Sequence, residues 1–298
     1  MAETRWVSAH IFHQGDTDAL ILDALHPLTE RLRASSGPAD ASFFLRYWDG
    51  GPHIRLRVAV PDPERREEVR GEITGACEAW FRRHPSEPFL DERHYAEQAT
   101  ILAARERMTA YEPRMYPLDS VQFLAYRPEY RRYGSGRNMA AVERHFAESS
   151  QIALTVLRAG ASPKERQTAA YCMLLLAWFT CESDPARLEK EQLSDGADRY
   201  GPDHADRYER QRAALTGLLR SMRSLVLRRD EVPEQGTLGR WAHSVRRLND
   251  SVTAPWRVLD ACAHLLCNRL GVQLEQETYV RYLAVRAISE AARAPEGV

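Results

Sequence analysis

The sequence predicts an α+β fold, with an N-terminal ferredoxin-like antiparallel sheet and its helices followed by a mainly helical C-terminal half packed on it. Two observations predict this class. Residues 1–138 alternate between strand and helix patterns in the order β-α-β-β-α-β, and from residue 139 onward the apolar residues recur with helical spacing. We expect one domain over residues 1–298, with an α+β part at 1–138 and a helical part at 139–298.

The N-terminal elements follow from side-chain periodicity. WVSAHIF alternates as a strand, residues 17–34 form an amphipathic helix, and SFFLRYW and HIRLRVAV are strands joined by the turn Asp49-Gly50-Gly51. A helix is expected at about 62–83, and after an irregular stretch SVQFLAYRPE predicts a fourth strand. A ferredoxin-like sheet is the economical way to fold this order, with helices on one face.

The second half has a helical pattern. AAVERHFAESSQIALTVLRAG predicts a helix that ends at Gly160, and AAYCMLLLAWFTC predicts a buried helix. Two or three more helices are expected to follow. The charged stretch 186–208 contains Asp195-Gly196 and Gly201-Pro202, which favour a surface loop.

Composition narrows the class of protein. The 298 residues are 44% hydrophobic and 28% charged, which is enough for a large core, and 41 Lys+Arg against 42 Asp+Glu provide no basic field for nucleic acid. No apolar stretch approaches the ~20 residues of a membrane span, and MAETRWVSAHIF lacks a basic segment followed by an apolar run. Five cysteines, an odd number, are typical of reduced thiols. We expect a cytoplasmic protein that binds neither membrane nor nucleic acid directly.

One strand carries an unusual set of cations. In GPHIRLRV, alternation places His53, Arg55 and Arg57 on one face, opposite the apolar residues between them. Arginine forks bind carboxylates and stabilise developing oxyanions. The strand therefore predicts a local site for an anionic group.

Segment YRPEYRRYGSGR has a second concentration of charge. Glu129 precedes Arg132 and a Gly134-Ser135-Gly136 loop that enters a helix, where backbone N–H groups can hold an anion. The alternative is that Glu129 and Arg132 only form a surface ion pair.

Near the C-terminus, ACAHLLCNRLGV puts His264 and Asn268 four residues apart on one helix face. The alternative for His264 is an ordinary core histidine. Cys262, His264 and Cys267 do not have the spacing of common zinc modules, so we expect no metal. Nucleotide-binding and hydrolase motifs are also missing, and no cofactor is expected.

Four blocks together carry a resemblance to a known family. WVSAHIF, FFLRYWDGGPHIRLRV, AYRPEYRRYGSGRNMAAVERHFAESS and AHLLCNRL resemble, in order from about residue 6 to 271, the C-terminal elimination domain of LanB-type lantibiotic dehydratases, including its free-standing form in split thiopeptide dehydratases. Ser135 and Leu266 depart from the family pattern. The resemblance implies that a separate tRNA-dependent enzyme glutamylates Ser or Thr of a precursor peptide. This protein would then expel the glutamate and leave dehydroalanine or dehydrobutyrine.

The resemblance also implies the site. Catalytic residues of the family match at Arg55, Arg57, Glu129, Arg132 and His264. We expect the arginines to bind the glutamyl carboxylates or the enolate, His264 to transfer a proton, and Glu129 to orient an arginine or the glutamyl amine. Which group is base and which is acid stays open. Further substrate contacts are expected from Arg46, His53, Tyr133, Asn268 and Arg269.

The expected partners are the glutamylated precursor peptide and the separate glutamylating enzyme, and a homodimer is left open. Two other functions remain. The first is a pyridine-forming [4+2] cycloaddition enzyme of thiopeptide biosynthesis, which shares the scaffold but is expected to lack the elimination residues. The second is a non-catalytic peptide-binding scaffold for the glutamylating subunit, which would tolerate loss of Arg132 and His264.

Overall fold

The computed structural model describes residues 5–36, 41–106, 108–193, 202–228 and 233–293. The chain divides into two compact units, Met1–Pro128 and Glu129–Val298. The predictions that both parts form a single domain, and that the helical half packs on the sheet, stay predictions.

The first unit contains one antiparallel sheet with the strand order β2-β3-β1-β4. Its strands are β1 Trp6–Phe12, β2 Ser42–Tyr47, β3 His53–Ala59 and β4 Ser120–Phe123. Its helices are α1 Thr17–Ala19, α2 His26–Ser36 after a π-helical segment Leu20–Leu25, α3 Arg66–Phe81 after a 3-10 turn Pro63–Arg65, and α4 Glu92–Glu106. The predicted ferredoxin-like sheet is confirmed, because a central β3-β1 pair flanked by β2 and β4 is the order that this connectivity produces.

The apolar face of the sheet forms the core of this unit. Ile54, Leu56 and Val58 of β3 are buried on this face. Arg70 of α3 lies 5.5 Å from the ring centre of Phe123, so α3 covers the same face. The opposite face carries the cationic side chains of β3.

The β2–β3 turn needs its two glycines. Gly50 and Gly51 have φ of +87° and +106°, which an L side chain rarely adopts. A Cβ on Gly50 would also lie 2.8 Å from the Tyr116 ring. The predicted turn at Asp49-Gly50-Gly51 is thus confirmed.

Two predictions about this unit are wrong. The irregular stretch contains α4, whose buried residues Tyr95, Ala99 and Ala103 include two alanines that give a weak hydrophobic signal. The fourth strand ends at Phe123 and does not continue through SVQFLAYRPE, because Tyr126 packs against Trp6 with ring centres 6.1 Å apart.

The second unit is helical in its described residues. Its helices are α5 Tyr130–Tyr133, α6 Arg137–Arg158, α7 Pro163–Cys181, α8 Pro185–Leu188 followed by a π-helical segment Glu189–Leu193, α9 Pro202–Leu227, α10 Gly236–Asn249, α11 Pro255–Arg269 and α12 Leu274–Arg293. The predicted end of α6 is confirmed by Gly160, with φ of +69°. α7 is buried as predicted.

More helices follow α7 than the two or three predicted. The prediction of a loop over 186–208 is wrong at both ends, since α8 and the π-helical segment occupy its beginning and α9, which starts at Pro202, occupies its end. Asp195-Gly196 and Gly201 lie outside the described residues. Among the helices that are described, none is both long and apolar enough to cross a membrane.

Gly15 supplies a test of how tightly the end of β1 is packed. A Cβ there would meet Nε2 of His13 at 2.5 Å, and the His13 ring is buried and held by Asp119 with 2.8 Å between Nδ1 and Oδ1. Gly15→Ala should therefore lower the free energy of unfolding by about 1–3 kcal/mol in urea titration. Gly75→Ala is the control, because Gly75 lies in α3 with nothing within 4 Å, and it should raise stability by about 0.5–1 kcal/mol. Equal effects of the two changes would contradict this packing.

Candidate functional site

The sheet of the first unit has a polar face that combines two neighbouring strands. In the β1–β3 register, His10 lies opposite Arg55 and Ser8 lies opposite Arg57, and paired residues point to the same side of a sheet. With His53, these four residues define the polar face. The predicted alternation of HIRLR is confirmed, and His10 of β1 joins this face through the strand pairing.

Arg55 is held by several neighbours. Its Nε donates to Nε2 of His53 at 3.3 Å, its guanidinium carbon lies 3.4 Å from the ring centre of Tyr47, and its Nη2 is 3.8 Å from Asp49. The His53 Nδ1 lies 2.8 Å from the Gly51 carbonyl oxygen, which can only accept. Nδ1 therefore carries the proton and Nε2 is free to accept from Arg55.

An acidic residue from α4 completes this region. Glu106 accepts from the Tyr47 hydroxyl at 2.9 Å and from Nε1 of Trp48 at 2.7 Å. Sequence reasoning missed Glu106 because it lies in the helix that was predicted as irregular chain. The two aromatic residues are thus fixed beside Arg55.

The polar face keeps its histidines neutral. Burial, with the charges of Arg55 and Arg57 and the neighbouring His53, lowers the pKa of His10 to about 2. Burial and the same two arginines lower the pKa of His53 to about 3, although its hydrogen bond to Gly51 opposes the shift. Two stacked neutral rings, with centres 4.9 Å apart, therefore lie on the same face as the two arginines at neutral pH.

This arrangement predicts acid-sensitive stability. Because the folded pKa of His53 is below the unfolded value of 6.5, its contribution is complete above pH 6.5 and is lost as pH falls toward 3. As pH falls from about 6.5 to about 5, each such histidine should lower the free energy of unfolding by on the order of 1–2 kcal/mol. The test is urea titration at a series of pH values. In His53→Gln the slope of the unfolding free energy against pH should decrease by the amount that corresponds to about one proton taken up on unfolding. A slope in His53→Gln equal to that of the wild type would contradict the assignment.

The other two arginines of this unit that were predicted for the site, Arg46 and Arg57, differ from Arg55. Arg57 is buried, 5.7 Å from the Phe43 ring centre and 5.1 Å from that of Tyr126. Arg46 pairs with Ile54 in the β2–β3 register and so lies on the apolar face, where it bonds to Asp18 and Thr17. The structure thus separates Arg46 from the polar face.

In the second unit, Glu129 and Arg132 form the ion pair that the sequence left as an alternative. Their closest N–O distance is 3.6 Å, and both side chains are largely exposed. Tyr133 is buried, and its hydroxyl has no hydrogen-bond partner among the residues that the structure describes. Burial raises the pKa of Tyr133 well above its usual value. Of these three residues, Glu129 and Arg132 are therefore accessible to solvent and Tyr133 is not.

Arg269 is fully buried. Its Nε donates to the Ser150 hydroxyl at 3.0 Å, and its Nη1 donates to the Ser149 hydroxyl at 3.3 Å. Burial lowers the pKa of Arg269 to about 10, against the opposing influence of Cys262 and Tyr133. It remains charged at neutral pH.

His264 lies in a network of charged residues between α11 and α12. Its Nδ1 is 2.6 Å from Oε2 of Glu277, and Oε1 of Glu277 accepts from Nε of Arg281 at 2.7 Å. Arg281 also donates to Asp260 at 2.6 Å. The sequence reasoning missed Glu277, Arg281 and Asp260, although Asp260 and His264 are four residues apart on one helix, as are Glu277 and Arg281.

Helix α11 separates two groups of predicted residues. Each residue of an α-helix turns ~100° around the axis, so His264 and Arg269, five positions apart, point ~140° away from each other. Asn268, four positions from His264, lies only ~40° from it. His264 and Asn268 are half-buried on the face toward Glu277, and Arg269 is directed toward Ser149. The predicted residues of the second unit therefore form separate groups.

A cavity of about 330 Å³ lies in the second unit where α7 ends and α11 begins. Cys181, Glu182, Trp256 and Arg257 are among its lining residues. None of the described residues that line it is predicted for the site. Across the described ranges, no group of three or more His, Cys, Asp or Glu residues is arranged to hold a metal ion.

Solved structures with the same fold include two chains matched over 99% of their length and one matched over 28%. "Pyridine synthase, TbtD, from thiomuracin biosynthesis" matches with a TM-score of 0.77 and 21% identity over 97% of this chain and 99% of that one. TsrL matches with a TM-score of 0.66 and 16% identity over 98% and 99% of the two chains. The tRNA-dependent lantibiotic dehydratase MibB from Microbispora sp. 107891 matches with a TM-score of 0.56 and 20% identity over 98% of this chain and 28% of MibB.

The family is identified by sequence. No curated protein matches this chain. The sequence profile described as "Lantibiotic biosynthesis dehydratase C-term" matches residues 6–288, nearly the whole chain. The resemblance inferred from the four sequence blocks is therefore confirmed, and the chain belongs to the lantibiotic biosynthesis dehydratase C-terminal family.

Proposed function

We propose that this protein is an enzyme that modifies a ribosomally made precursor peptide, and that its reaction is the pyridine-forming cycloaddition. The observation that carries this choice is the match to a pyridine synthase over 97% of this chain and 99% of that one, with a TM-score of 0.77 against 0.56 for the dehydratase. The comparisons thus support the alternative function better than glutamate elimination.

Three of the five predicted arginines lie beside acidic side chains, which agrees with this choice. Arg46 pairs with Asp18, Arg132 lies 3.6 Å from Glu129, and Arg55 lies 3.8 Å from Asp49. A glutamylated substrate would bring its own carboxylates into competition with these acidic side chains. A peptide that already contains two dehydroalanines has no charge at its reacting atoms, so it needs no unpaired cation.

The chemistry requires proton transfer rather than anion binding. The amide preceding one dehydroalanine moves its proton from nitrogen to oxygen and becomes, with the alkene, a 2-azadiene. Two C–C bonds to the second alkene close the ring, and loss of water and of the leader as its amide makes the ring aromatic. His264, hydrogen-bonded to Glu277, is the group of the second unit suited to moving these protons.

Glutamate elimination is the second candidate, and the residues favour it. Arg55, Arg57, Glu129, Arg132 and His264 are all present, whereas a cycloaddition enzyme of this scaffold is expected to lack them. In this reaction a base takes the Cα proton, the electron pair forms the Cα–Cβ double bond, and the C–O bond to the glutamyl group breaks. Arginine would stabilise the enolate and the departing carboxylate.

Two substrates offered in parallel test the choice. Purified protein is incubated with a leader-bearing peptide that contains two dehydroalanines, and separately with the same peptide glutamylated on serine, and the products are identified by mass spectrometry. We expect a six-membered nitrogen heterocycle and released leader from the first. Loss of glutamate from the second, with no change in the first, would establish elimination instead.

The third function has its own outcome. If neither peptide reacts, the non-catalytic scaffold gains support, and a pull-down with a tRNA-dependent glutamylating enzyme becomes the informative measurement. His264→Ala serves as the matched control, because any reaction that persists unchanged in that variant does not use the proposed proton-transfer group.

A further inference from the structure

We propose that Glu277 is the positioning residue that holds His264 in the tautomer with a free Nε2. It rests on the proposed function only in that His264 transfers the proton. The evidence is that both carboxylate oxygens of the buried Glu277 side chain have partners, His264 at Oε2 and Arg281 at Oε1. Glu277 has 5% of its side chain exposed, whereas His264 has 36% exposed.

The ionised carboxylate fixes the proton on the imidazole. Burial raises the pKa of Glu277, but hydrogen bonds and charges from His264 and Arg281 outweigh it and hold the pKa below its usual range. An ionised carboxylate accepts hydrogen bonds and donates none, so the 2.6 Å contact requires a proton on Nδ1 of His264. In the neutral imidazole, Nε2 then carries the lone pair.

Glu277 is itself prevented from turning away. Arg281 donates from Nε to Oε1 at 2.7 Å, and its other nitrogens donate to the Asp260 side chain at 2.6 Å and to the Asp260 carbonyl oxygen at 3.3 Å. Asp260 in turn accepts from Nε1 of Trp178 at 2.9 Å. A planar guanidinium thus connects α11 and α12 and occupies Oε1 of Glu277, while Oε2 faces His264.

A glutamine at this position should reverse the tautomer. Arg281 Nε–H still needs an acceptor, so the amide oxygen of Glu277→Gln turns toward Arg281 and the amide nitrogen turns toward His264. Because that nitrogen donates, Nδ1 of His264 must accept, and the proton moves to Nε2. Nitrogen-15 NMR of the imidazole at a pH where it is neutral, assigned by the signal lost in His264→Ala, should detect the change from Nδ1–H to Nε2–H.

The same variant should lose activity without losing its fold. The rate on whichever peptide the wild type converts should fall ~10²–10⁴-fold, as for an asparagine that imposes the wrong tautomer on a catalytic histidine. Glu277→Asp keeps a carboxylate acceptor, so its rate should be at least about tenfold higher than that of Glu277→Gln. Glu275→Gln, on the exposed side of α12, is the matched control and should change neither the NMR signal nor the rate.

The outcomes separate this inference from the proposed function. An unchanged tautomer in Glu277→Gln, or equal losses for Glu277→Gln and Glu277→Asp, would overturn the positioning role. If the wild type converts neither peptide while Glu277→Gln still reverses the tautomer, the proposed function fails and the positioning of His264 stands.

Discussion

His264→Ala should lower the rate of product formation by between about 100-fold and 10,000-fold, the usual contribution of a general acid or base. The loss should appear in kcat, because the alanine removes the proton-transfer group and leaves the peptide-binding surface in place. Glu277 retains its contact with Arg281 at 2.7 Å, so no buried carboxylate is left unpaired. The thermal unfolding midpoint should therefore change little.

The measurement is a single-turnover assay by mass spectrometry beside a peptide-binding assay. His94→Ala is the control, because His94 is an exposed histidine of the first unit that the proposed site does not use. A His264→Ala protein that binds peptide as tightly as the wild type and converts none of it would support the proposal. A rate that falls less than about threefold would remove His264 from the chemistry.

The strands were predictable because their signals are local. In β3 the alternation of His53, Arg55 and Arg57 with apolar residues has the period of a pleated strand, and the neighbouring Gly50-Gly51 marks the turn. Both faces of β3 are nonetheless largely buried, and Arg57 with them. Its burial beneath aromatic rings depends on Phe43 and Tyr126, which are distant in sequence, so periodicity cannot reveal it.

The candidate site was predictable only in part, for a related reason. His264 was singled out from its own helix, but its partner Glu277 is contributed by the following helix and its orientation depends on how α11 and α12 pack. Likewise Arg46 appears beside the cationic strand in the sequence. The β2–β3 register nevertheless turns it to the apolar face and toward Asp18. Such pairings follow from tertiary contacts, which a single sequence does not encode as a pattern.

Arg55→Ala should affect the two candidate reactions very differently. Expulsion of glutamate develops negative charge on a carboxylate, and loss of one positioned donor to such a charge typically costs ~100-fold or more. Cycloaddition of two dehydroalanines develops no full charge. If the protein eliminates glutamate, we therefore expect Arg55→Ala to keep about one hundredth of the wild-type rate. If it forms pyridine, we expect the variant to keep at least about one tenth of the wild-type rate.

Two further variants determine what the loss means. Arg55→Lys keeps the charge but not the planar guanidinium that lies 3.4 Å from the Tyr47 ring centre and donates to His53. If the charge of Arg55 is what accelerates the reaction, the lysine should restore part of the lost rate. If the planar geometry matters instead, it should restore little. Arg65→Ala, on the 3-10 turn before α3, is the control for removing an arginine from the same unit. If Arg55→Ala reduces pyridine formation by ~100-fold as well, then Arg55 is not acting on a leaving carboxylate. Its contacts with Tyr47 and His53 would then matter for the shape of the polar face, and a lowered unfolding temperature of the variant would show it.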